Sequence, residues 1–145
     1  MDAREFHTLA QQLSLAATEA AWRSAVSRAY YAAFHVARQL MEDLGFTVPH
    51  ADRAHGYLWL RLANCGNLQV EQAANALKDL RRNRNWADYD LARPLGQLFS
   101  QNQGSLAAQI IQVFEAAAIG PTCTQITDAM KIYERDVLHD VTWRP

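Results

Sequence analysis

Apolar residues recur along this chain at steps of three and four almost without interruption, the period of one face of an α-helix. Phe6, Leu9, Ala10, Leu13, Ala16 and Ala17 predict a first helix ending near Ala17. Thr18 and Glu19 then supply a capping hydroxyl and a first-turn acid for a long second helix. Its core stripe is Val26, Tyr30, Ala33, Ala37, Leu40 and Leu44, and Gly45 stands where a left-handed cap would close it. Phe46 to Ala51, with Pro49, reads as a loop, after which Asp52 can cap a third helix to about Cys65, stopped by Gly66 and Asn67. Val70, Ala73, Ala74, Leu77 and Leu80 mark a fourth helix ending in Arg81-Arg82-Asn83-Arg84-Asn85, and the segment Trp86 to Asp90 leaves the helical pattern. Leu106, Ile110, Val113, Phe114 and Ala117 predict a fifth, stopped at Gly120-Pro121. A sixth begins at Thr124 or Thr127 and carries Ile126, Ala129, Met130, Tyr133 and Val137 on one face. No stretch alternates with period two for long enough to be a strand. The fold class is therefore all-α: an up-and-down bundle of four to five helices (residues 1–120), with an additional short C-terminal helix in an extension (121–145) packing on the bundle.

Length and charge narrow the picture. A chain of 145 residues can bury one sizeable core without metals or disulfides. No apolar run approaches the roughly 20 residues that cross a bilayer, and the opening Met1-Asp2-Ala3-Arg4-Glu5-Phe6 has no signal-peptide character, so a cytoplasmic protein without a membrane partner is expected. Cys65 and Cys123 stand apart without zinc-type spacing. A formal net charge of −1 argues against a coat of positive charge for non-specific nucleic-acid binding. A local patch is another matter: Lys78 and Lys131 are the only lysines, and arginine, whose planar fork matches phosphate and carboxylate, supplies the other cations.

Two constellations carry candidate chemistry. On the long helix, Ser24, Ser27, Arg28, Tyr31, His35 and Arg38 gather at helical spacing away from the core stripe. Such a face is either simply solvated, a subunit contact or the wall of a cleft. The second constellation is Arg81, Arg82, Arg84, Asp88 and Tyr89. Arginines at a helix C-terminus suit the dipole by themselves. Arg81 and Arg84, however, are three apart on one face and repel unless a phosphate, or Asp88, lies between them. His50, Asp52 and His55 are close in sequence, but His50 lies in the loop and Arg53 would repel a cation, so no metal is assigned and no cofactor is implied. Nucleophile elbows, phosphate-cradling glycine loops, helix-turn-helix and zinc-finger signatures are all missing from the sequence.

Arg23-Ser24-Ala25-Val26-Ser27-Arg28-Ala29-Tyr30-Tyr31-Ala32-Ala33-Phe34-His35, the pair His55-Gly56, Leu80-Arg81 through Arg84-Asn85, and Ala87-Asp88-Tyr89 together resemble the HEPN superfamily, the higher-eukaryote and prokaryote nucleotide-binding domain. The resemblance spans about residues 5 to 118 and is closest to small stand-alone prokaryotic members. It implies a helical bundle, a homodimer, and a toxin–antitoxin, antiphage or RNA-processing setting beside a minimal nucleotidyltransferase (MNT) antitoxin. It also implies RNA or nucleotide binding through Arg28, Tyr31, Arg81 and Arg84, and, in active members, metal-independent ribonuclease chemistry. Those members place a histidine four to six residues after an arginine; here the positions after Arg84 hold Asp88, Tyr89 and neighbours, and no histidine follows Arg81, Arg82 or Arg84. Transfer of the 2′-hydroxyl proton needs a group that titrates near neutrality, whereas tyrosine and aspartate have reference pKa values of about 10 and 3.9. The candidate catalytic set is thus Arg84, Asp88, Tyr89 and, as a substitute for the absent histidine, His35. Two functions follow: engagement of RNA or nucleotide phosphate with weak or degenerate ribonuclease activity, or a non-catalytic dimeric module that docks the nucleotidyltransferase.

Overall fold

The computed structural model describes residues 1–144; Pro145, the last residue of the predicted extension, lies outside the described residues. The chain is an all-α helical bundle: α1 (Arg4–Ser14), α2 (Glu19–Asp43), α3 (Arg53–Leu62), α4 (Leu68–Tyr89), α5 (Gln97–Ala117), α6 (Gly120–Tyr133) and a short C-terminal π-helical turn, Glu134–Leu138. No strand occurs among the described residues; an isolated antiparallel bridge joins Phe46 and Trp143. No single helix among them is long and apolar enough to cross a membrane.

Local chemistry explains the helix ends. The Thr18 hydroxyl accepts a hydrogen bond from the Ala21 N–H at 3.2 Å and opens α2. Gly45, at φ +96°, closes it in the left-handed region that glycine enters without a Cβ penalty. Asp52 does occupy the position before α3, but its side chain makes no capping hydrogen bond. Asn67 caps α4 instead, its Oδ1 accepting from the Val70 N–H at 3.1 Å.

Several boundaries differ from the sequence-based expectation. The first helix ends at Ser14 rather than near Ala17, and the third at Leu62 rather than Cys65. Trp86 to Tyr89 does not leave the helix but completes α4, and α5 starts at Gln97, well before Leu106. Gly120-Pro121 is a start as much as a stop: Pro121 sits in the first turn of α6, where its missing N–H has no intrahelical acceptor to lose.

The chain divides into two compact units, residues 1–35 with 76–111 and residues 36–75 with 112–145. In the first, Val26, Ala87 and Leu95 form a buried cluster covered by Trp22, Trp86 and Phe99. The α2 stripe residues Val26, Tyr30 and Ala33 are buried in this unit, and Ala37 and Leu40 in the second. The second unit also buries Met41, Leu58, Leu62, Phe114, Ile126 and Met130, and within it α3 packs against α6.

The second unit also buries an ion pair. Arg61 and Glu134 are 3 % and 0 % exposed, with Nε 2.6 Å from Oε2. The carboxylate further accepts the Thr142 N–H at 2.9 Å, the Thr142 hydroxyl at 2.5 Å and the Trp143 N–H at 3.2 Å. Tyr57 bonds the same Thr142 hydroxyl, and its ring lies 3.7 Å from the Arg61 guanidinium. One carboxylate thereby ties the C-terminal residues to α3, and it leaves few of its own lone pairs unused.

Candidate functional site

In the first unit α1, α2 and α4 together line a cleft of about 290 Å³, with Phe6, Ser27, Arg28, Tyr31, His35, Arg84 and Asp88 in its wall. Ser27, Arg28, Tyr31 and His35 come from one face of α2, where steps of three and four bring side chains above one another. Arg84 and Asp88 come from one face of α4, four residues apart.

Tyr31 is the middle of the arrangement. The Arg28 and Arg84 guanidinium carbons each lie 5.1 Å from its ring centroid, within cation–π range. Arg84 also donates from Nη2 to the Tyr31 hydroxyl at 2.6 Å and from Nη1 to Asn85 at 2.6 Å. Arg28 sits 5.0 Å from the Phe6 ring as well, and the His35 ring stacks on Phe6 at 5.8 Å with planes 25° apart. The cleft wall is thus aromatic, with cations held against its faces.

Its one carboxylate, Asp88, lies with Oδ2 3.1 Å from Nε of Arg84 and 3.2 Å from the Ser27 hydroxyl, which donates to it. The Arg84 Nε–H makes no hydrogen bond, so the pairing with Asp88 is one of charge without alignment. Arg28 makes no ion pair among the described residues. Two guanidinium groups and one carboxylate therefore line the cleft.

Of the residues singled out from sequence, the cleft brings together Arg28, Tyr31, His35, Arg84 and Asp88. Arg81 and Tyr89 do not line it. The Nε of Arg81 is buried without a hydrogen-bond partner, and the Arg81 charge acts on the buried Tyr30 phenol. Burial pushes the Tyr30 pKa up, against the smaller opposing pull of Arg81. Tyr89 is 76 % exposed, and its ring centroid lies 5.9 Å from the Arg84 guanidinium. Two further members of the polar α2 face serve local structure: Ser24 bonds back to the Ala20 carbonyl, and Arg38 donates to the Pro49 and Val48 carbonyls of the loop.

Sequence reasoning missed two contributors. Phe6 reads as one more apolar position of α1, and nothing local marks it as the ring on which His35 stacks. Arg23 holds the end of α4 in place: buried, it donates to the carbonyls of Ala87 at 2.9 Å, Asp90 at 3.1 Å and Arg93, and pairs with Glu19. These carbonyls include helix-terminal acceptors that have no intrahelical donor. That is why α4 continues through Asp88 and Tyr89. Arg23→Lys keeps the charge but loses the fork, and a loss of about 1–3 kcal/mol is expected in urea unfolding. A change of only a few tenths would show that the helix end holds itself.

A second cleft, in the other unit, is lined by Asn67, Gln69, Gln112 and Thr122 among apolar residues and has no charged side chain. No group of three or more metal-ligating side chains occurs among the described residues. Comparison with family models, with curated proteins and with solved structures finds no match to this chain. Fold and site define it as a helical bundle with a basic, aromatic-walled cleft.

Proposed function

We propose that this chain is a HEPN-type protein that binds the phosphate of single-stranded RNA or of a nucleotide in the cleft between Arg28 and Arg84. The observation that carries the reading is the imbalance of charge: both guanidinium groups lie against the Tyr31 ring, and Asp88 alone opposes them. Partly buried cations held close together favour an anion between them. Arginine's fork suits phosphate oxygens, and both arginines are held against the aromatic wall of the cleft. The second cleft has apolar and amide groups and no cation, which disfavours phosphate there.

Arg84→Ala is expected to weaken binding of a single-stranded RNA oligomer or of a nucleotide by about 1–3 kcal/mol, the range for a lost charge-assisted contact. Titration with the helical circular-dichroism signal intact is the measurement. Unchanged affinity would remove the phosphate site.

A weak ribonuclease is the second reading, and it is supported by the presence of His35 in the same cleft as Arg84. Cleavage by the 2′-hydroxyl needs a base for its proton, an acid that returns a proton to the leaving 5′-oxygen, and positive charge for the phosphorane. In the cleft His35 can take the 2′-hydroxyl proton and return it to the leaving 5′-oxygen, and Arg84 supplies the positive charge.

A further inference from the structure

The cleft holds a negative charge of its own, and a phosphate ligand must share the space with it. Asp88 is fixed by the Ser27 hydroxyl at 3.2 Å and stands 3.1 Å from Arg84 without an aligned hydrogen bond to it. It therefore acts on the cleft as a charge more than as a clamp on Arg84. Set against the Asp88 carboxylate, the two arginines leave one positive charge to be matched. A phosphodiester brings one negative charge. A terminal phosphomonoester above its second pKa of about 6 brings two, spread over its oxygens, and in this small cleft that extra charge is repelled by the Asp88 carboxylate.

We propose that Asp88 is a specificity-determining residue that tunes this cleft to a singly charged phosphodiester and selects against doubly charged phosphomonoesters. The inference rests on the phosphate-binding reading above and sharpens it from phosphate in general to one charge state of phosphate. Asp88 does this through space: like charges a few ångströms apart repel measurably even in a partly solvated cleft, and the Ser27 hydroxyl keeps the carboxylate from turning away.

Thymidine 5′-monophosphate and its methyl phosphodiester share base and sugar and differ in one charge, so they isolate the effect. Binding of each at pH 8 is followed by nuclear magnetic resonance titration in the unsubstituted protein, in Asp88→Asn and in Asp88→Glu. Asparagine keeps an oxygen acceptor for Ser27, and circular dichroism checks the fold. We expect Asp88→Asn to tighten the monoester about tenfold and the methyl ester about threefold or less, consistent with removal of one neighbouring charge. Asp88→Glu should keep the original ratio of the two affinities. If both ligands bind in an Arg84-dependent way but Asp88→Asn leaves their ratio unchanged, or weakens both, the selectivity role is overturned while the phosphate site stands. If neither ligand binds any of the proteins, the phosphate reading falls and takes this inference with it.

Discussion

Replacing Glu134 by alanine is expected to cost about 3–5 kcal/mol of unfolding free energy, which urea denaturation monitored by circular dichroism would measure. The size follows from what remains behind. Arg61 is 3 % exposed, and without its partner 2.6 Å away it becomes a buried charge with no buried counter-ion, since Asp140 at 3.4 Å is largely exposed. The N–H groups of Thr142 and Trp143 lose their acceptor as well. Replacing both Arg61 and Glu134 by methionine removes the orphaned charge and should recover a large part of the loss. Equal costs for the single and the double variant would show that the pair contributes little beyond packing.

The same carboxylate predicts how stability varies with pH. Burial pushes the Glu134 pKa up, but the hydrogen bonds from Thr142 and Arg61 outweigh it and hold the group below its ordinary value of 4.5. A folded pKa lower than the unfolded one means that the contribution is complete above 4.5 and is lost as pH falls below that value towards the folded pKa. Acid unfolding of Glu134→Gln should therefore be flatter with pH in that range than acid unfolding of the unsubstituted chain.

On the ribonuclease reading, any RNA cleavage runs through His35, and His35→Ala is then expected to lower the rate by a factor of about 10² to 10⁴, the usual contribution of a positioned acid–base group. His35 lines the cleft with Arg84, and its ring is oriented by stacking on Phe6. Tyr89 is exposed and outside the cleft, so Tyr89→Phe should leave the rate within a few-fold. The measurement is cleavage of a labelled single-stranded RNA in the presence of a chelator. Robust cleavage that survives His35→Ala and disappears in Tyr89→Phe would reverse the assignment and make the tyrosine the proton carrier.

Helices announce themselves because their signal is local. The α2 stripe of Val26, Tyr30, Ala33, Ala37, Leu40 and Leu44 repeats every three or four residues; the first five are buried, and Leu44, just past the end of α2 at Asp43, is half-buried. Thr18 by its hydroxyl and Gly45 by its left-handed backbone mark the ends of α2, and both act as their residue types require. The end of α4 was illegible for the opposite reason. Trp86 to Tyr89 has weak helical character on its own, and the donor that satisfies its terminal carbonyls is Arg23, more than 60 positions away in sequence.

The candidate site divides in the same way. Sequence by itself determined that Ser27, Arg28, Tyr31 and His35 share a face, because one helix and its period place them there. Arg84 and Asp88 share a face only because α4 runs on to Tyr89, past the point where its helical pattern fades in the sequence. Only the tertiary structure decided that these two faces meet in one cleft, that Phe6 joins them and that Arg81 and Tyr89 do not line it. It also decided that Arg61 and Glu134, 73 residues apart, are a buried pair rather than two solvated charges. A charged residue carries no mark in its own neighbourhood of whether it will be buried. Its partner, arriving from a distant helix, settles whether the cost of leaving water is offset.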